Sequence, residues 1–453
     1  MKMGKNQSKQ SMWQFPFHIY IYIPLCMMGM GLFSAGCQPI LIDEIPPSHM
    51  DARPENARQT EQFRNALPPP VPEVAWSEPP PCEGPETTCA RLLYRADTEL
   101  RELIWSDKGI TRETRSLADV PSGLTSFSPD FTRLVVQTPQ GHTAGGPLFL
   151  YDLETAQLLN LNDYMGLPTY TSISALRVAG WHPDGQQLLL VNEDDEVFIW
   201  LDLADGSFQS LALGIDTGQM APPRQFELAA DGSGFTFVSH SRDTTNDNDQ
   251  ALNLYWYDLE TEQSQLLLTV PAGQGRLAAT AIAPNGEQLV YLLIRGDRKL
   301  GRSEELYLLD WPTAQSDSAS SRLLLAGNLG PTQPVWSPDG TQIAFIRRNL
   351  TEPRRAAPDQ PPPLGDVWTL SINSGEINSG EINSGEAVQL TSTQALDSPP
   401  VWSPDGNYLA FVTADGQIGM VATDEPGTVW RMDSATIRAP LIQLAFAPVE
   451  KSK

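Results

Sequence analysis

The chain has 453 residues, 30 Lys and Arg against 55 Asp and Glu for a formal charge of −25, and 39 Pro with 34 Gly. That charge excludes the cationic surface on which nucleic-acid binding depends and an electrostatic hold on an anionic membrane. A hydrophobic content of 40% excludes a wholly disordered chain, and four cysteines are too few for a disulfide-built scaffold.

Lys2, Lys5 and Lys9 precede an apolar stretch from Met12 to Phe33, with no acidic residue before Asp43. A basic start, an apolar run and small residues at its end describe an export signal over 1–36. The end of the run, Ser34-Ala35-Gly36-Cys37, resembles the lipobox of bacterial lipoproteins. That resemblance implies that Cys37 takes an acyl lipid and becomes the new N-terminus. The leucine usual three places before the cysteine stands two positions earlier here, with Ser34 in its place. An uncleaved anchor of about 20 apolar residues and plain secretion are the alternatives. All three place the body outside the cytoplasm, and the lipoprotein reading tethers it to a membrane of a bacterial cell envelope. Cleavage before Cys37 leaves 27 basic against 55 acidic residues, a net −28.

Residues 37–88 read as a tether, with Pro46-Pro47, Pro68-Pro69-Pro70, Pro72 and Pro79-Pro80-Pro81 breaking a polar segment. Cys82 and Cys89 stand as a pair in an oxidising compartment, which predicts a disulfide across the short loop between them. Two free thiols are the alternative.

From residue 89 the chain repeats. Ser128-Pro129-Asp130, His182-Pro183-Asp184-Gly185, Ala230-Asp231-Gly232, Ala283-Pro284-Asn285-Gly286, Ser337-Pro338-Asp339-Gly340 and Ser403-Pro404-Asp405-Gly406 recur with their Asp or Asn 54, 47, 54, 54 and 66 residues apart. Ser, Pro, Asp and Gly in that order suit a type I turn. An apolar strand follows each turn from the second onward, then a third strand ending in Asp, as at 152, 202, 258 and 310, then a short fourth. Four short strands per roughly 50 residues, in tandem, predict an all-β propeller over 89–448, with 449–453 as a tail. The long interval holds three copies of Ile-Asn-Ser-Gly-Glu, an expanded hairpin loop. Three strand candidates, 90–95, 100–105 and 110–117, precede the first turn, and Leu441 to Pro448 matches a first strand. Joined, they make a seventh blade closed by both ends of the chain; six blades is the alternative.

The W-S-P-D-G turns at 336–340 and 402–406, each followed by Ile343-Ala-Phe or Leu409-Ala-Phe, resemble the repeats of TolB-type β-propellers. Similar repeats occur in tricorn-like proteins and in the propellers of prolyl-oligopeptidase-type peptidases. The resemblance covers about 90–448 and implies a fold, with no catalytic residue carried over. Ala230 stands where proline is usual, Phe131 where glycine is, and His182 and Ala283 where serine is. The separate N-terminal α/β domain of TolB has no counterpart in 38–88.

Chemistry is sparse. There is no Gly-x-Ser-x-Gly elbow and no Gly-rich phosphate loop. Beyond the signal the histidines are His49, His142, His182 and His240. His182 is expected to support its turn, and a joint site of His142 and His240 is the less favoured reading. Asp243, Asp247 and Asp249, with Asn246 and Asn248, offer hard oxygen ligands for Ca2+ in one loop; a solvated hairpin loop is the plainer reading. Trp181, Trp336 and Trp402 recur at one blade position and are expected in the core between blades. Trp200, Tyr255, Trp256, Tyr257, Tyr307, Trp311 and Trp368 fall on or beside third strands, as packing or as a sugar-binding surface. The sequence therefore leads to an extracytoplasmic propeller that binds a protein or peptide partner. A carbohydrate or small-ligand module and a channel-centred enzyme are the alternatives.

Overall fold

Seven four-stranded antiparallel sheets form a β-propeller. The structure, a computed structural model, describes residues 79, 88–96, 99–117, 119–121, 123–138, 147–166, 176–192, 197–215, 220–241, 251–297, 301–310, 320–327, 329–330, 332–348, 365–372, 387–392, 399–413, 416–433 and 444–446. The chain divides into two units, Met1–Cys37 and Gln38–Lys453, and every described residue lies in the second. None of the helices among the described residues is long and apolar enough to cross a membrane.

In chain order, blade 1 takes β1 (Thr88–Ala96), β2 (Glu99–Ser106) and β3 (Gly109–Ser116). Blade 2 holds β4 (Leu124–Phe127), β5 (Arg133–Gln137), β6 (Leu148–Asp152) and β7 (Leu158–Asn160), followed by one helical turn, α1 (Leu161–Tyr164). Blade 3 holds β8 (Leu176–Trp181), β9 (Gln187–Asn192), β10 (Val197–Asp202) and β11 (Phe208–Leu211). Blade 4 holds β12 (Met220–Leu228), β13 (Gly234–Ser241), β14 (Leu252–Asp258) and β15 (Gln263–Val270). Blade 5 holds β16 (Arg276–Ile282), β17 (Gln288–Asp297), β18 (Gly301–Asp310) and β19 (Ser320–Ala326). Blade 6 holds β20 (Val335–Trp336), β21 (Gln342–Arg348), β22 (Gly365–Ser371) and β23 (Ala387–Gln389). Blade 7 holds β24 (Val401–Trp402), β25 (Tyr408–Val412), β26 (Ile418–Ala422) and β27 (Val429–Asp433). The last strand, β28 (Leu444–Phe446), returns to blade 1 and pairs with β1, Leu92 opposite Phe446 and Tyr94 opposite Leu444.

The second strands explain why a blade cannot stand alone. Successive side chains point to opposite faces of a strand, and here both faces are buried. In β9, Leu188 and Leu190 enter the core shared with blade 2, while Leu189 and Val191 enter the core shared with blade 4. In β17, Leu289, Tyr291 and Leu293 face blade 4, and Val290 and Leu292 face blade 6. In β25, Leu409 and Phe411 face blade 6, and Ala410 and Val412 face blade 1. Seven such cores, one per seam, complete the ring. First strands of successive blades touch from β8 through β12, β16, β20 and β24 to β28, which places them nearest the axis. The links from first to second and from third to fourth strands share one end of the blades, the turn face. The remaining links form the opposite face.

The structure corrects the disulfide expected between Cys82 and Cys89: none is found among the described residues. Cys89 has its backbone in β1, at a register irregularity between Thr88 and Ala90 where the strand begins to pair with β2. Cys89 is the extra residue at that irregularity, between Thr88 and Ala90, which both pair with β2, and Cys82 lies outside the described residues.

Candidate functional site

The repeated turns build the floor of the turn face. In blade 6 the Gly340 N–H donates to the Ser337 carbonyl at 2.9 Å, closing the turn. Ser337 Oγ donates to Asp339 Oδ1 at 2.6 Å and accepts from the Gln342 N–H at 2.9 Å. Asp339 also receives the Thr341 N–H at 3.0 Å and the Thr341 hydroxyl at 2.9 Å. Blades 2 and 7 repeat this with Ser128–Asp130 at 2.6 Å and Ser403–Asp405 at 2.5 Å. Glycine ends the turn because the backbone there is left-handed, φ 70° at Gly185, 75° at Gly232 and 71° at Gly340. Phe131 adopts φ 58° without that freedom. Neighbouring turns nest: a Cβ on Gly185 would stand 3.5 Å from the Asp130 carboxylate, and one on Gly286 would stand 3.7 Å from that of Asp231.

Four of the six turns depart from the pattern, and an open cleft lies between two of them, those of blades 3 and 4. His182 replaces serine in blade 3 and Ala230 replaces proline in blade 4. His182 keeps part of the serine role, its Nδ1 2.9 Å from Asp184 Oδ1. Its larger ring reaches across the seam, so that a Cβ on Gly232 would stand 2.4 Å from His182 Nε2. The ring lies perpendicular to the Trp200 indole, centroids 5.6 Å apart. Trp200 donates its indole N–H to Gln187 Oε1 at 2.8 Å, and the Gln187 amide donates to Asp202 Oδ2 at 3.3 Å. The cleft, about 220 Å³, is lined by His182, Gln187, Trp200, Gln209 and Leu211 from blade 3 and Gly232, Leu259 and Glu262 from blade 4. Its size is below the ~300–1,000 Å³ of drug-sized sites and suits a small molecule or one end of a larger one. Glu262 is exposed and held at φ 54°, a strained conformation for a residue with a side chain.

The charge around the cleft is mostly negative. The turns of blades 3 and 4 carry Asp184, Asp205, Asp231, Asp258, Glu260 and Glu262 with no lysine or arginine. Partial burial pushes the Asp184 carboxyl up, but the Gln186 N–H and the His182 side chain outweigh it and hold the group below the usual range. The Ser207 hydroxyl and N–H do the same for Asp205. At Asp231, partial burial raises and Ser233 lowers, with a net fall. These groups are ionised at neutral pH. Arg133 from blade 2 reaches the edge of the field, its Nη1 3.4 Å from the Gly185 carbonyl.

The other sequence-selected residues have plainer places. Trp181, Trp336 and Trp402 are buried in the seams, and each donates its N–H to a first-strand carbonyl of the preceding blade: Ser126 at 3.3 Å, Ala281 at 2.9 Å and Val335 at 3.0 Å. Tyr257, Trp256, Tyr307 and Trp368 are core, and Tyr255 stacks on Phe237 at 5.1 Å. Asp152 and Asp258 cap backbone N–H groups of Thr155 and Thr261, each at 2.7 Å. Cys37, His49, His142, Trp311 and the loop with Asp243, Asp247 and Asp249 lie outside the described residues. Among the described residues no three His, Cys, Asp or Glu side chains gather to hold a metal ion. Sequence reasoning missed Gln187, Gln209 and Glu262 as lining residues.

Fold and turns define a seven-bladed β-propeller. The sequence matches no protein-family model and no curated protein. Among solved structures it is similar to the tricorn protease, at 13% identity and TM-score 0.49 over 80% of this chain. This chain spans about a third (36%) of that one. Puromycin hydrolase gives 14% identity and TM-score 0.47, with 70% of this chain and 47% of that chain covered. The β-propeller domain of Swd1 from Myceliophteria thermophila gives 12% identity and TM-score 0.39, with 72% and 93% covered.

Proposed function

We propose that this chain is an envelope protein, held to a membrane by a lipid on Cys37, whose propeller binds a small polar ligand in the turn-face cleft between blades 3 and 4. The observation that carries the reading is the lining itself. An indole, two amides and a carboxylate converge where the repeat departs from its pattern. An apolar ring face with a few fixed polar groups is the usual chemistry of a small-ligand site. Residues 37–88 act as the tether that holds the body away from the lipid surface.

Calorimetric titration of the full-length chain in detergent with a library of saccharides and polar metabolites tests the reading. A hit is expected to lose at least tenfold in affinity in Trp200→Ala and in exposed Gln209→Ala, the second without a change in melting temperature. Hits whose affinity neither substitution alters would overturn it.

A second reading, docking of a protein partner, is favoured by one feature. Leu158, Leu159 and Phe208 are exposed on β7 and β11, the outermost strands of adjacent blades. Phe208→Asp is then expected to abolish capture of an envelope protein that Trp200→Ala leaves intact, and equal capture by both variants would end this reading.

A further inference from the structure

Resting on the proposed cleft, we infer that its ligand carries a positive charge: a small organic ammonium, seated against the Trp200 indole with Glu262 as counter-charge. Three observations converge on this class. Trp200 is only partly buried and lines the opening, and the face of an indole attracts a cation more strongly than any other side-chain ring. Glu262, on the opposite blade, brings the one carboxylate that lines the cleft, on a backbone strained to φ 54°. Asp184 in the blade 3 turn and, facing the next seam, Asp231 in the blade 4 turn are ionised through their own turn hydrogen bonds. Their charge therefore remains as a field, which a small concave site concentrates. The same field opposes uronates, phosphates and other anions. Gln187 is fixed by Trp200 and Asp202 on its two sides, so its amide holds the indole in place. Gln209 is exposed at the rim, within reach of a ligand hydroxyl.

The test uses an isosteric pair, choline and 3,3-dimethylbutan-1-ol, which share shape and hydroxyl and differ in charge. The full-length chain in detergent is titrated with each, at low and high salt. Choline is expected to bind at least tenfold more tightly than the alcohol. That preference should shrink severalfold at 0.5 M salt and fall at least fivefold in Glu262→Gln, an exposed substitution that leaves the melting temperature unchanged. Trp200→Ala is expected to abolish binding of both. Equal affinity for the two probes, still lost in Trp200→Ala, would overturn the charge preference and leave the cleft standing. Choline binding that survives Trp200→Ala would overturn the cleft as the site. Binding of neither probe would overturn the ammonium inference, while the library titration still judges the cleft. A third arm offers phosphatidylcholine vesicles. Choline binding with no retention on vesicles identifies a free ammonium as the ligand, and retention lost in Glu262→Gln identifies a lipid headgroup.

Discussion

Ser403 shows how much one hydroxyl does in this fold. It donates to Asp405 at 2.5 Å and accepts from the Tyr408 N–H at 2.9 Å, joining the turn to the start of β25. Ser403→Ala is expected to cost about 1–2 kcal/mol, measured by urea denaturation. Gly232→Ala adds both a left-handed strain and a clash with His182, and is expected to lower stability by about 1–2 kcal/mol and to weaken ligand binding by displacing the imidazole. Glu227 sets a pH dependence. Burial pushes its carboxyl up to about 8, against a hydrogen bond from the Ile282 N–H at 3.0 Å. A carboxyl raised on folding holds its proton in the native state, so its stabilisation is full below the ordinary carboxyl range and fades as pH rises through about 8. The melting temperature is expected to fall between pH 5 and 9, with Glu227→Gln flattening that fall. The turn motif was legible because all its partners lie within five residues. The indole N–H partners were not, since Trp336 and Trp402 donate to carbonyls 55 and 67 residues away.

Single strands here serve two cores at once. Leu190 faces one seam and Leu189 the other, both fully buried. Leu190→Ala is expected to cost about 2–5 kcal/mol and to loosen the seam with blade 2 first, as hydrogen exchange in β5 and β6 would report. Elements this short were readable through the repeat. β20 and β24 contain two residues each, too few for any alternation, and only their place before a W-S-P-D-G turn marks them. The bulged β12, with register shifts between Ala221 and Phe226 and Gln225 at φ 54°, belongs to the blade reached by the short 47-residue interval. The interval was visible, but the bulge was not, because it answers to β16, where the Gln225 amide donates to the Leu277 and Ala278 carbonyls at 3.1 and 3.0 Å.

Closure of the ring governs the molecule as a whole. Beyond the β1–β28 pairing, Asp433 at the end of β27 receives the Tyr94 hydroxyl from β1, Arg101 of β2 at 3.4 Å, and lies 3.9 Å from Arg112 of β3. One nearly buried carboxylate thus ties all three N-terminal strands to the last blade, and burial followed by Asp433 raises the Tyr94 pKa. Asp433→Asn is expected to cost about 2–4 kcal/mol, and Tyr94→Phe about 1 kcal/mol, both by chemical denaturation. Closure by both termini was foreseeable from counting strands, whereas the clasp joins residues some 330 positions apart and leaves no local signature. The proposed lipid anchor is tested at the same scale: Cys37→Ser is expected to abolish acyl labelling and release the protein from membranes. The central claim is that ligand meets this propeller between blades 3 and 4, and fluorine NMR of the full-length chain labelled with 5-fluorotryptophan tests it most directly. With the Trp200 resonance identified by its loss in Trp200→Phe, titration with a ligand is predicted to shift that signal saturably while Trp181, Trp336 and Trp402 stay fixed. Saturable binding that leaves Trp200 unmoved and shifts another tryptophan would contradict it.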